Sequence, residues 1–138
     1  MMKTDREYEA AKAQLSKLQE LYNTQVAELM SKKNFTEEQA KDALSSSMTY
    51  ALQCKEELDL YEKLKKGILP PAEHFSSKGR YFIAARIAKG MTQRDLAEQL
   101  GVKETAVSRD ERFEYQGLSM DKAERLSKVL GLKLLLTA

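Results

Sequence analysis

A glycine-centred turn between two short amphipathic segments, within residues 92–111, most constrains the fold of this chain. Thr92 suits a helix N-cap, because its hydroxyl oxygen can accept a hydrogen bond from a free N–H of the first turn. The apolar positions that follow at helical spacing are Leu96, Ala97 and Leu100. Gly101 then stands where a chain leaves a helix in the left-handed conformation. The pattern predicts a helix, a short turn and a second helix beginning near Lys103.

The predicted second helix has two unlike faces. Ala106 and Val107 point inward, and Val102 fills the corner before them. The outer face is polar and suits a helix that enters a major groove, because its side chains can donate and accept hydrogen bonds. Its residues are Lys103, Glu104, Thr105, Ser108, Arg109 and Arg112.

Residues 78–132 resemble the Xre/Cro-type DNA-binding domain of phage repressors and many bacterial regulators and antitoxins. The shared pattern is Thr-Gln, Leu-Ala, Leu-Gly-Val and Ser-Arg-x-Glu, in this order and spacing. The matching residues are Thr92, Gln93, Leu96, Ala97, Leu100, Gly101, Val102, Ser108, Arg109 and Glu111. The alternative is a helix corner in some other all-helical protein.

The resemblance implies DNA-binding roles for individual positions. Thr92 and Gln93 would contact phosphate, and Gln93 would also brace the second helix. Exposed residues of that helix would reach base edges, namely Lys103, Glu104, Thr105 and Arg109, with Ser108 close by. Arg109 can donate twice to guanine, and the Thr105 methyl can contact thymine. Glu104 can only accept a hydrogen bond, and cytosine N4–H is its favoured donor. Arg112, with Lys103, could bind backbone phosphate. The alternative for Arg109 and for Glu104 is a solvated helix face.

Two further positions are structural by the same resemblance. Arg86 and Glu111 are expected to form a partly buried ion pair that ties the domain's first helix to the second motif helix. Asp110 departs from the family pattern, which places an apolar residue there. An aspartate must reach water or a donor, and Phe113 or Tyr115 is expected to fill the space.

The N-terminal half predicts two long helices, because no proline or glycine precedes Gly67. The first, residues 4–31, carries a heptad-like seam with Gln25 as a polar interruption. Its seam residues are Tyr8, Ala11, Leu15, Leu18, Tyr22 and Leu29. Asn34 and Phe35 form a turn, and Thr36 with Gln39 begins the second helix as a capping box. That helix runs to about residue 66, with a weak point at residues 45–47, three serines.

These segments predict an all-α fold with an antiparallel, coiled-coil-like hairpin of long helices at residues 1–67. Residues 68–77 form a proline-containing linker. Residues 78–138 form a compact four- to five-helix domain of the Xre/Cro helix-turn-helix type, with a short extended tail from residue 132. The hairpin leaves apolar surplus beside its seam, which favours a homodimer through the N-terminal helices. The alternative is a hairpin that folds back on its own C-terminal domain.

The charge distribution and the composition limit the classes of function that this chain can have. Residues 1–75 hold 11 basic and 13 acidic residues, whereas residues 76–138 hold 12 and 8, so the basic half carries the motif. No apolar run is long enough for a membrane span, and the polar start lacks the apolar core of a signal peptide. The one cysteine, Cys54, allows no internal disulfide. We expect a cytoplasmic protein, bacterial or phage by resemblance.

No pattern indicates an enzyme, because the chain has no phosphate-binding glycine loop, no metal-spaced cluster and one histidine, His74. We therefore expect no catalytic residue, metal or cofactor.

The favoured function is a sequence-specific transcriptional regulator, a repressor that binds double-stranded DNA as a homodimer on a two-fold operator. The first alternative is an Xre-type antitoxin that neutralises a toxin protein and represses its own operon. The second is a protein-interaction adaptor that does not bind DNA.

Overall fold

The computed structural model describes residues 1–135, which form α-helices and one short 3-10 turn without any strand in that range. The helices are α1 (Asp5–Lys32), α2 (Glu37–Ala43), α3 (Ser45–Lys65), α4 (Lys78–Ala88), α5 (Gln93–Leu100), α6 (Glu104–Arg112) and α7 (Met120–Leu130), and the 3-10 turn is Ala72–His74. The predicted all-α class is therefore confirmed. Among the described helices, none combines the length and the apolar character needed to cross a membrane.

The chain divides into two compact units. The N-terminal unit comprises residues 4–60 with Met2, and the C-terminal unit comprises the chain from Tyr61 onward with Met1 and Lys3. Each unit is described by itself below.

In the N-terminal unit, local hydrogen bonds define where the helices begin and end. Asn34 has φ 54° at the turn after α1, a conformation that asparagine tolerates better than most residues. The predicted capping box is confirmed: Thr36 accepts from the Gln39 N–H at 3.2 Å, and Gln39 accepts from the Thr36 N–H at 3.0 Å. The prediction of one continuous second helix is wrong, because the chain leaves helical geometry at Leu44 and resumes at Ser45. The three serines at residues 45–47 lie in the first turn of α3, directly after this break.

Helix α1 packs along only one stripe of its surface. No residue of α1 is buried. The predicted seam positions, from Tyr8 to Leu29, are half-buried, and most of their neighbours are exposed. Cys54 of α3 is half-buried and lies against the main chain of α1, with its Sγ 3.9 Å from the Ala11 carbonyl oxygen. The N-terminal unit therefore leaves much of α1 uncovered.

The C-terminal unit has a core to which four helices contribute. Its buried apolar residues include Ile83 on α4, Leu96 and Leu100 on α5, Val107 on α6, and Leu126 and Leu130 on α7. Helix α7 has its predicted bounds; Ser119 accepts from the Lys122 N–H at 3.2 Å, and Gly131 ends the helix at φ 67°. Residues 132–135 follow without regular structure, and the rest of the predicted extended tail, residues 136–138, lies outside the described residues.

A buried ion pair joins α4 to α6. Arg86 Nε lies 2.5 Å from Glu111 Oε1, and Arg86 Nη2 lies 3.0 Å from Glu111 Oε2. The two side chains are 3% and 0% exposed, so the pair is fully rather than partly buried. Arg86 also donates to the carbonyl oxygens of Met91 and Lys3, each at 2.7 Å. Gln93 Nε2 donates to Glu111 Oε2 at 2.7 Å, which adds α5 to the network. The attraction between the two charges and the added hydrogen bonds offset the desolvation cost of burying Arg86 and Glu111.

The turn after α6 is held by close contacts with α4. Glu114 and Tyr115 both have φ 52°, a left-handed conformation that costs about 1–2 kcal/mol per residue without glycine. The Tyr115 ring packs edge-on against Phe82 at 6.0 Å between centroids, and burial raises the pKa of the Tyr115 hydroxyl. Glu114 Oε1 accepts from Arg80 Nε at 2.8 Å. A Cβ at Gly79 would lie 1.8 Å from the Glu114 carbonyl oxygen, so this helix position requires glycine.

We expect Glu111→Ala to lower the free energy of unfolding by about 3–5 kcal/mol, because it strands the buried Arg86 charge. Urea denaturation followed by circular dichroism measures the change. The matched control is Glu98→Ala, which removes the exposed ion pair with Arg94 and should cost less than about 1 kcal/mol. Equal losses in the two variants would contradict a structural role for the buried pair.

We expect Gly79→Ala to destabilise the domain by about 1–3 kcal/mol, because the new methyl group collides with a main-chain carbonyl. In an ordinary helix the same change stabilises by about 0.5–1 kcal/mol. Lys78→Ala, at the exposed neighbouring position, is the control. Thermal denaturation reports the sign, and a stabilised Gly79→Ala variant would disprove the close approach.

Candidate nucleic-acid interface

The predicted start and end of α5 are confirmed by the hydrogen bonds around them. Thr92 Oγ1 accepts from the Asp95 N–H at 3.0 Å, and Asp95 Oδ2 accepts from the Thr92 N–H at 2.9 Å. The hydrogen bond from the Thr92 N–H, and next the Thr92 side chain, hold the pKa of the exposed Asp95 carboxyl below its usual range. Gly101 ends the helix at φ 68°, and the Val102 N–H donates to the Ala97 carbonyl oxygen at 3.0 Å. The turn that presents α6 is thus fixed at both ends of α5.

Helix α6 has a buried side and an open side. Val107 and Glu111 are buried, whereas Lys103, at its N-cap, is exposed. The other predicted outer-face residues that are exposed are Glu104, Thr105, Arg109 and Arg112, while Ser108 is half-buried. The expected corner-filling role of Val102 is wrong, because this residue is 43% exposed. Five of the six predicted outer-face residues are therefore open to solvent.

A shallow depression of about 540 Å³ lies on this open side. Its lining is Lys103, Thr105, Ala106, Ser108, Arg109 and Arg112. It therefore contains three cations and two hydroxyls but no carboxylate. Within the described residues, none of the three cations forms an ion pair. A basic, hydrogen-bonding surface without internal neutralisation suits contact with a polyanion.

Gln93 is placed to link α5 with α6. Its side chain is half-buried and donates one amide N–H to Glu111. A side-chain amide has two N–H donors and one acceptor oxygen, so Gln93 retains hydrogen-bonding capacity. Thr92, at the exposed helix start, uses its oxygen as an acceptor in the cap and keeps its O–H as a donor.

The family departure at Asp110 is resolved by a donor on α7. Lys122 Nζ lies 2.5 Å from Asp110 Oδ2. Of the two residues expected to fill the nearby space, Tyr115 is buried and Phe113 is 59% exposed. The Tyr115 N–H also donates to the Asp110 carbonyl oxygen at 2.8 Å. The geometry after Arg109 is thus held by a turn that Asp110 itself helps to form.

Two stabilising contacts in this domain could not be predicted from the sequence. Arg125 Nη2 donates to the Leu100 carbonyl oxygen at 2.6 Å and so caps the C-terminal end of α5 from α7. The Gly79–Glu114 contact was missed too. Each joins residues distant in sequence through a main-chain atom, and no local spacing signals such a contact. A glycine inside a predicted helix was the only available clue for the second.

Among the described residues, no group of His, Cys, Asp or Glu side chains is arranged to hold a metal ion.

Residues 83–136 match the family model described as "Helix-turn-helix". No curated protein and no solved structure matches the chain. The matched segment contains most of α4 and all of α5, α6 and α7, with the turn at Gly101 between the second and third of these. This segment is therefore similar to helix-turn-helix domains of the Xre/Cro type, a family of DNA-binding regulators.

Proposed function

We propose that this protein is a transcriptional repressor that binds a two-fold operator as a homodimer, with α6 as the recognition helix. The observation that carries the proposal is the open side of α6, where Lys103, Arg109 and Arg112 stand exposed and unpaired beside two hydroxyls. The opposite side of the same helix is anchored by the buried Glu111. A rigidly held helix with an uncompensated basic face is suited to a major groove.

The chemistry of each α6 side chain decides whether it contacts a base or a backbone phosphate. Arg109 pairs two N–H donors with guanine O6 and N7, which makes it the strongest candidate for base selection. Glu104 accepts from cytosine N4, and the Thr105 methyl contacts thymine, with Ser108 within reach of a base or phosphate. Lys103 and Arg112 bind backbone phosphate and set the position of the helix.

The start of α5 supplies further phosphate contacts. Thr92 donates through its O–H, and Gln93 through the amide N–H that Glu111 does not use. Because Gln93 also touches Glu111, a phosphate bound here is one side chain away from the anchor of α6. These contacts fix the orientation of the domain but do not select a sequence.

The N-terminal unit supports the homodimer. Between α1 and α3 lies an open groove of about 670 Å³, flanked by Leu21 and Leu52, each 53% exposed. Its other lining residues include Tyr22 and Tyr50, and its only charged one is Lys55. A surface that meets its own copy across a two-fold axis must avoid like charges, so a nearly neutral apolar groove fits a second copy of this chain. Two recognition helices would then meet half-sites about 34 Å apart on one face of the duplex.

The second candidate is an Xre-type antitoxin whose N-terminal groove holds a toxin. The same exposed apolar groove favours it, since a partner of different sequence could also cover Leu21 and Leu52. The two candidates differ in the free protein: a repressor of the proposed kind is dimeric by itself through this groove. An adaptor without DNA binding would show no affinity for duplex DNA that falls with added salt.

We expect Arg109→Ala to lose preference at one base pair, at a cost of about 1–3 kcal/mol for the cognate sequence. Selection of bound sites from random duplexes, with wild type and variant in parallel, measures it. Arg112→Ala should instead weaken all sequences alike and lower the salt slope by about one.

The matched control is Arg94→Ala, which removes an exposed arginine of α5 that pairs with Glu98. It should leave the selected sequence unchanged. If Arg109→Ala selects the same sequence as wild type with equal strength, Arg109 makes no base contact.

We expect Leu52→Glu to convert the dimer to a monomer, because it places two like charges in one apolar interface. Sedimentation velocity of the free protein over a range of concentrations measures the change. Gln53→Glu adds the same charge at the exposed neighbouring position of α3 and should remain dimeric. A monomeric wild type would disprove the homodimer, and a dimeric Leu52→Glu variant would place its interface elsewhere.

A further inference from the structure

The C-terminal unit contains a second concave site that shares no lining residue with the open side of α6. A cavity of about 460 Å³ lies among the 3-10 turn, the start of α4, the last turns of α7 and the segment that follows α7. Its apolar lining residues are Ala72, Phe75, Tyr81, Phe82, Leu132 and Leu134. The volume falls within the range of about 300–1,000 Å³ that is usual for small-molecule sites.

One residue that lines the cavity carries a buried hydroxyl without a hydrogen-bond partner among the described residues. Ser127 of α7 lines the cavity and is 4% exposed, and its Oγ makes no hydrogen bond within the described residues. A helical serine often bonds to the carbonyl four residues back, but Ser127 does not. An unsatisfied buried hydroxyl costs about 1–3 kcal/mol. A ligand oxygen that reaches this hydroxyl would recover part of that cost.

The polar rim of the cavity favours an anion. Lys78 and Lys133 are exposed and line it, against one carboxylate, that of Glu73. Within the described residues, neither lysine forms an ion pair. The first turn of α4, capped by Ser77, also borders the cavity, and the N-terminal end of a helix attracts negative charge.

We propose that this cavity binds a small amphipathic acid, with an aromatic or branched apolar body against the ring and leucine side chains and an anionic oxygen group towards Lys133 and Ser127. Aromatic and leucine side chains supply the apolar contacts, and the lysines supply the charge. The unpaired hydroxyl adds one directional hydrogen bond.

The cavity is also connected to the turn that follows α6. Phe82 lines the cavity and packs on Tyr115 at 6.0 Å, and the neighbouring Gly79 touches the Glu114 carbonyl group. A ligand that contacts Phe82 would therefore lie one ring away from the turn that follows α6.

The test is an amide NMR titration of the full chain with 3-phenylpropionate, with the neutral alcohol 3-phenyl-1-propanol as the matched compound. We expect saturable shifts at the lining residues with the acid and weaker binding of the alcohol. Ser127→Ala should weaken acid binding by about fivefold, the equivalent of one hydrogen bond. The same variant should not lower the melting temperature of the free protein, because the lost hydroxyl had no partner.

Lys133→Glu should also weaken acid binding, whereas Lys128→Glu, an exposed charge reversal on α7 outside the lining, should not. Absence of shifts, shifts confined to the groove at Leu52, or equal affinity for acid and alcohol would overturn the proposal. Arg109→Ala should retain acid binding in full. Acid binding without any DNA binding would disprove the proposed function and leave this site intact.

Discussion

The buried ion pair between Arg86 and Glu111 is the interaction on which the C-terminal domain depends. A carboxylate without exposed surface is stable in the interior only when donors surround it, and here two arginine N–H groups and the Gln93 amide do so. These donors come from α4 and α5, while the carboxylate belongs to α6. One charged group therefore fixes three helices at once, and it fixes α6 from its inner side. No side chain on the outer side of α6 is needed to hold the helix in place.

The separation of α6 into a buried inner side and an exposed outer side explains how this short helix can be both rigid and exposed. Val107 and Glu111 carry the packing of α6, so Lys103, Arg109 and Arg112 need no internal partner. The turn after α6 adds a second anchor, because Tyr115 and Glu114 contact α4 through a ring, an ion pair and a main-chain carbonyl. The unusual backbone of these two residues is maintained by those contacts together.

The sequence predicted the elements governed by local chemistry with good accuracy. Thr36, Thr92, Ser119, Gly101 and Gly131 mark helix ends by hydrogen bonds or backbone conformation that involve near neighbours, and they act as expected. The break at Leu44 was anticipated only as a weak point, since the penalty of three serines depends on whether tertiary contacts offset it. The partner of Asp110 could not be predicted, because Lys122 is one of several basic residues and only the packing of α7 selects it. The exposure of Val102 likewise could not be predicted from its apolar side chain.

The N-cap residue of α6, Lys103, makes no side-chain cap hydrogen bond, unlike the N-cap residues of α4, α5 and α7. The amide hydrogens of an uncapped first turn are solvated by water in the free molecule. Oxygen atoms of an approaching surface can replace that water without breaking an internal bond, and the released molecules gain entropy. Dehydration of the exposed start of α6 therefore requires no internal side-chain hydrogen bond to break.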